Sequence, residues 1–122
     1  MRKHHELRVW QGAMDLVVEV YQVSGGFPSS ELYGLTSQMR RAAVSVPSNI
    51  AEGAARDSDK EFLHFLAIAR GSLSELETQL QLAQRLGYAT QIEQTAAHID
   101  TVFGQLGGLI RTLKLRNVRG EG

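Results

Sequence analysis

The sequence predicts an all-α protein: an antiparallel up-and-down four-helix bundle in a single domain, residues 1–122, with flexible ends at about 1–6 and 117–122. Three observations predict it. Apolar residues recur at spacings of three and four, and no stretch alternates at strand spacing with β-branched residues. Only two prolines occur, Pro28 and Pro47. Glycines and capping patterns divide the chain into four helix-length segments with short loops, and short loops favour antiparallel neighbours.

The first helix is expected over about Leu7 to Ser24, with Trp10, Ala13, Met14, Val17, Val18 and Tyr21 as its apolar stripe. Gly25-Gly26 ends it, because glycine takes a left-handed turn at little cost. The second runs from about Leu35 to Glu52, with Leu35, Met39, Ala42, Ala43, Val46 and Ile50 on one face. Pro47 lies inside it. Proline removes the hydrogen bond to the Ala43 carbonyl at a cost of about 3 kcal/mol, so a kink or a break into two shorter helices is expected.

Ser58-Asp-Lys-Glu61 is a capping box, in which the serine side chain takes one free amide and the glutamate reaches back for another. It opens the third helix, expected to Leu86, with Phe62, Phe65, Leu66, Ala69, Leu73, Leu76, Leu80 and Ala83 inward. Gly87-Tyr88 stops it. Thr90-Gln-Ile-Glu93 is a second capping box, opening a fourth helix to about Arg116. There Ile92, Ala96, Ile99, Phe103, Leu106, Ile110 and Leu113 alternate spacings of four and three, the seam of bundle packing.

Composition narrows the function classes. The apolar share of 43% and charged share of 21% are those of a globular chain. Thirteen basic residues balance thirteen acidic ones, so no global field draws in nucleic acid or acidic membrane. There is no cysteine, which excludes disulfides and thiolate chemistry and fits a cytoplasmic protein. No apolar run is long enough for a signal peptide or a membrane span, so no membrane partner is expected.

Catalytic patterns are absent. A di-iron bundle needs two Glu-x-x-His pairs and two further glutamates, whereas the chain has one such pair, Glu61 and His64, read as solvated residues on a helix flank. His4-His5 is read as a tail dipeptide without a partner. No nucleophile elbow, dinucleotide fingerprint or phosphate loop occurs. Neither enzyme activity nor a cofactor is expected.

Three polar or small-residue features remain. On the second helix Arg41, Ser45, Ser48 and Glu52 share a face, flanked by Asn49; on the third Ile68, Gly71, Ser72, Glu75 and Gln79 form a stripe about 100° around from the leucine seam. If the two helices are antiparallel, Arg40 or Arg41 lies opposite Glu75. The first reading is a hydrogen-bonded polar seam within or between subunits, the second a binding pocket. On the fourth helix Ala97, Thr101, Gly104, Gly108 and Thr112 line up, and helix-interior glycines at about 1 kcal/mol each suggest a close-packed second helix rather than a fraying end. Finally, Arg2, Lys3, Arg8, Arg111, Lys114, Arg116 and Arg119 gather where the first helix begins and the fourth ends. They can complement the helix dipole or contact RNA or DNA phosphates, and Asp57, Asp59 and Glu61 at the same end dilute their field.

From Leu7 to Tyr88 the chain resembles the 23S rRNA intervening-sequence, or four-helix bundle, protein family. The resemblance rests on Val9-Trp10-Gln11-x-Ala13, on Tyr33-Gly-Leu-Thr-Ser-Gln38, and on Arg40-Arg-Ala-Ala-Val-Ser-Val-Pro-Ser-Asn-Ile-Ala-Glu-Gly53. Glu61-Phe-Leu-x-Phe65-Leu and Gly71-Ser-Leu-x-Glu75-Leu-Glu-Thr-Gln-Leu80 complete it; the fourth helix matches only in character. The resemblance implies an up-and-down bundle that assembles as a ring, commonly a pentamer. It also implies kinship with the accessory protein of diversity-generating retroelements, a basic pentamer that binds a reverse transcriptase and its RNA, from which this chain departs in carrying no net charge. The expected function is therefore a non-enzymatic homo-oligomeric scaffold. The alternative is a nucleic-acid-binding accessory protein using the basic end.

Overall fold

The structure is a computed structural model and describes residues 2–120. Four helices build it: α1 (Arg8–Ser24), α2 (Leu35–Ala54), α3 (Asp59–Arg85) and α4 (Glu93–Val118). Each packs on its neighbours in sequence and α4 closes on α1, so the four surround one continuous apolar core. No strand occurs among the described residues.

On α2, α3 and α4 most of the expected apolar residues are buried, but Leu35, Ala96 and Phe103 are only partly so, Phe65 lies beside the core rather than in it, and Val102, not among the expected residues, is fully enclosed. Met39, Ile50, Leu66, Leu73, Leu76, Leu80, Ile99, Leu106 and Leu113 are almost fully enclosed. Helix α1 differs. Its core face is Val9, Ala13, Leu16 and Val20, whereas Met14, Val18 and Tyr21, expected inside, are 43%, 58% and 44% exposed. The two faces are about 100° apart on a helix. Valines occur on both, so hydrophobic spacing alone does not choose between them.

Helix ends have local causes. The Ser58 hydroxyl accepts the Glu61 amide at 3.2 Å, the expected N-cap of α3. Glu61 does not complete the box on the backbone; its carboxylate meets the same hydroxyl at 3.5 Å. After α3, Gly87 takes φ +78°, and the Tyr88 amide returns to the Ala83 carbonyl at 2.9 Å. The second capping box does not form. Helix α4 starts at Glu93 with Ile92 at its N-cap and no side-chain cap. Ile92 is buried, and its packing on the core fixes where the helix begins. An unexpected cap serves α2: Glu31 Oε1 accepts the Leu35 amide at 3.1 Å while Oε2 accepts the Tyr88 hydroxyl at 3.0 Å. Tyr88 also packs on Phe27, which fastens the loop before α4 to the loop before α2. The hydrogen bond to Glu31, more than burial, raises the Tyr88 pKa above its ordinary value.

Pro47 does not divide α2, which runs unbroken through it. Val46, Pro47, Ile50 and Ala54 are all buried around that turn, and their burial offsets the missing backbone hydrogen bond. Lys3–Glu6, expected as part of a loose end, forms a 3-10 turn. The His4 and His5 rings both lie against Trp10, 5.0 and 5.3 Å between centroids, so the tail dipeptide does have a partner. A second 3-10 turn spans Ser29–Glu31. Helix α4 continues through Asn117 and Val118, part of the other expected loose end; Glu121 and Gly122 of that end lie outside the described residues.

A polar cleft, an apolar face and a basic end

Helices α2 and α3 approach closely because small side chains line their contact. A Cβ on Gly53 would lie 2.9 Å from Phe65 Cβ and 3.2 Å from the Phe62 carbonyl oxygen. Further along the same contact, Ser45 and Ser72 hydroxyls meet at 2.8 Å, and Asn49 Nδ2 donates to both the Ser45 carbonyl and its hydroxyl. Beyond them the helices leave a polar cleft of about 320 Å³, lined by Gln38, Arg41, Ser45, Ser72, Glu75 and Gln79. Arg41 and Glu75 are exposed. They share this cleft as expected, but no ion pair joins them among the described residues. Gln79 forms the floor; it is 7% exposed, and its Oε1 has no hydrogen-bond partner among the described residues.

Three residues expected in this seam lie elsewhere. Arg40 turns to α1, where Nε donates to Ser24 Oγ at 2.9 Å and the guanidinium covers the Tyr21 ring at 4.5 Å. That places a cation at the C-terminal end of α1, where the helix dipole favours it. Ser48 opens on the α1 side, in a shallow groove with Trp10, Met14, Val17 and Val44. Glu52 forms an exposed i,i+4 ion pair with Arg56 at 2.9 Å. Arg40 lies about 100° around the helix from Arg41, far enough for α1 rather than α3 to take it.

The groove beside Ser48 belongs to a larger apolar face. Met14 and Tyr21 of α1 lie next to exposed Val44 of α2, and beyond Tyr21 come Leu32 and Tyr33, the latter 93% exposed, with Arg40 and Arg41 set among them.

At the other end of the bundle, Arg116 holds Asp59 with two hydrogen bonds, Nε to Oδ2 at 2.9 Å and Nη2 to Oδ1 at 2.7 Å. The pair joins the end of α4 to the start of α3 and holds the Asp59 carboxyl below its ordinary value. Lys3 lies over the Phe62 ring at 5.4 Å. Arg116 and Lys3 therefore have structural contacts, while Arg2, Arg8, Arg111, Lys114 and Arg119 are exposed. The expected gathering of charge is present but reduced.

On α4 the described residues supply nothing for the small-residue stripe to pack against. Ala97, Thr101, Gly104 and Thr112 are exposed, and a Cβ at Gly104 or Gly108 would meet no described atom within 4 Å. Thr101 and Thr112 return their hydroxyls to the carbonyls of Ala97 and Gly108. The other side of α4 holds a cluster that spacing did not reveal: Glu19 of α1 accepts from Thr95 Oγ1 at 2.9 Å and meets His98 Nδ1 at 2.6 Å. No single helix carries that pattern, so only the pairing of α1 with α4 exposes it. Glu61 and His64 are exposed on α3, His64 edge-on to Phe65. Among the described residues no group of three or more His, Cys, Asp or Glu could hold a metal ion, and no helix is long and apolar enough to cross a membrane.

A family model described as 23S rRNA-intervening sequence protein matches residues 5–108. The match extends past Tyr88, where the resemblance ends, and takes in more than half of α4. No curated protein matches the chain.

Proposed function

We propose, for a chain that belongs to the 23S rRNA-intervening sequence protein family, the role of a non-enzymatic homo-oligomeric scaffold whose copies join through the α1–α2 face. The observation that carries this reading is the exposed run of Met14, Val18, Tyr21, Leu32, Tyr33 and Val44. Exposed apolar surface of this kind, bordered by the charges of Arg40 and Arg41, marks interaction sites in soluble proteins. Its aromatic residues, Tyr21 and Tyr33, are of the kind that dominates interfaces, since they bury large areas with few rotatable bonds. A ring of copies, the pentamer included, is an extension of the same reading, as is a cytoplasmic setting. Sedimentation at micromolar concentration should give a mass several times 13.5 kDa. Tyr21→Glu together with Val44→Glu should yield a folded monomer, because both side chains are exposed in the protomer. A wild-type monomer removes the reading.

A second reading, contact of the basic end with RNA or DNA phosphates, draws on the five exposed cations Arg2, Arg8, Arg111, Lys114 and Arg119. It requires binding to structured RNA that weakens steeply with salt. Changing Arg111, Lys114 and Arg119 together to glutamine should flatten that slope. Absence of binding at low salt removes it.

A further inference from the structure

We propose that the α2–α3 cleft is a binding site for a small zwitterion of amino-acid or dipeptide size, its carboxylate on Arg41 and its ammonium on Glu75. Four observations carry this. The cleft, about 320 Å³, lies at the small end of the range of ligand pockets, roughly 300–1,000 Å³. Its lining is polar rather than apolar, so it selects a polar occupant.

The opposite charges come next. Arg41 and Glu75 line one cleft and do not pair. A simple anion drawn to Arg41 meets the repulsion of Glu75, and a simple cation drawn to Glu75 meets that of Arg41. A molecule carrying both charges satisfies both, with charge-assisted hydrogen bonds at each end.

The third observation is the floor. Gln79 is 7% exposed, and its enclosed carboxamide oxygen has no partner among the described residues. A buried amide without partners is costly, and rotation about its last torsion lets it offer either a donor or an acceptor. The fourth is the hydroxyl pair. Ser45 Oγ already accepts from Asn49 Nδ2, and Ser45 and Ser72 share one hydrogen between them at 2.8 Å. Two hydroxyls carry two hydrogens, so whichever way the shared one points, the other is left to donate into the cleft. The wall thus offers a cation, an anion, a neutral donor and a buried amide, the set that a main-chain zwitterion with a polar side chain uses.

The inference is independent of the scaffold reading and concerns another surface. It is tested on the full chain, in whatever assembly it forms, by isothermal titration with free glutamine, threonine and glycylglycine. Each is paired with its N-acetyl form, which keeps only the anion, and its amide form, which keeps only the cation. At least one zwitterion should bind saturably. Its affinity should fall about tenfold or more in both blocked forms and in both Arg41→Gln and Glu75→Gln, the loss expected for one hydrogen bond to a charged group. Both residues are exposed, so these variants fold. Gln79→Leu should also weaken binding, with an unchanged circular dichroism spectrum as the check on its fold. No saturable heat from any zwitterion, or equal binding by a blocked form, or binding indifferent to Arg41 and Glu75, overturns the proposal and leaves a water-filled cleft.

Discussion

Gly53→Ala is the most direct test of how α2 meets α3. The added methyl carbon would lie 2.8 Å from Phe62 Cδ1, 2.9 Å from Phe65 Cβ and 3.2 Å from the Phe62 carbonyl oxygen. The Phe62 ring is itself buried in the core and has little room to turn. The other two atoms are fixed to the α3 backbone, so the helices must part by roughly half an ångström to restore carbon contacts near 3.5 Å. Overpacking of this kind costs about 1–3 kcal/mol, and alanine returns up to about 1 kcal/mol in helix propensity. The net expectation is a loss of about 1–2 kcal/mol. For a chain of this length that lowers the melting temperature by roughly 3–10 °C. Thermal and urea unfolding, followed by circular dichroism at fixed protein concentration, measure it. Gly104→Ala is the internal control, because a Cβ there meets nothing within 4 Å and should stabilise. A Gly53→Ala protein as stable as the parent would show that α2 and α3 do not approach as described, and the cleft beside them would lose its walls.

Other consequences follow from single contacts. Gly108→Leu should raise stability by about 0.5–1 kcal/mol from helix propensity; a loss in thermal unfolding would place another copy's helix on the α4 stripe. Asp59 has a depressed pKa in the folded state, so its contribution is complete above its ordinary value of 3.8 and fades as pH falls through the lower folded value. Asp59→Asn should therefore be less stable than the parent at pH 7, and the gap should close below about pH 3.8, which urea midpoints against pH will show. Gly87→Ala forces a side chain to φ +78°, costing about 1–2 kcal/mol, with Gly87→Asn closer to the parent in the same melting experiment. Glu19→Ala leaves Thr95 and His98 without their acceptor and should cost about 1–3 kcal/mol in urea unfolding.

The sequence by itself determined the four helices, most of the buried residues of three of them, the Ser58 cap and the Gly87 stop, because these depend on spacing and local hydrogen bonds within a few residues. It also placed Arg41, Ser45, Ser72, Glu75 and Gln79 on facing stripes, since a helix repeats its faces regularly enough to be counted. What it left open was decided between helices. On α1 two apolar faces competed, and the core took Val9, Ala13, Leu16 and Val20 while leaving Met14, Val18 and Tyr21 outside. Local capping rules would have started α4 at Thr90; burial of Ile92 moved the start to Glu93. Arg40 and Arg41 are adjacent in sequence, yet one reaches α1 and the other the α3 cleft, because neighbouring helical residues point about 100° apart. The Glu19 cluster and the Glu31–Tyr88 link join residues 79 and 57 positions apart at most. Periodicity describes one helix at a time; only packing chooses which faces meet, and the cleft, the apolar face and the thinned basic end all arise from that choice.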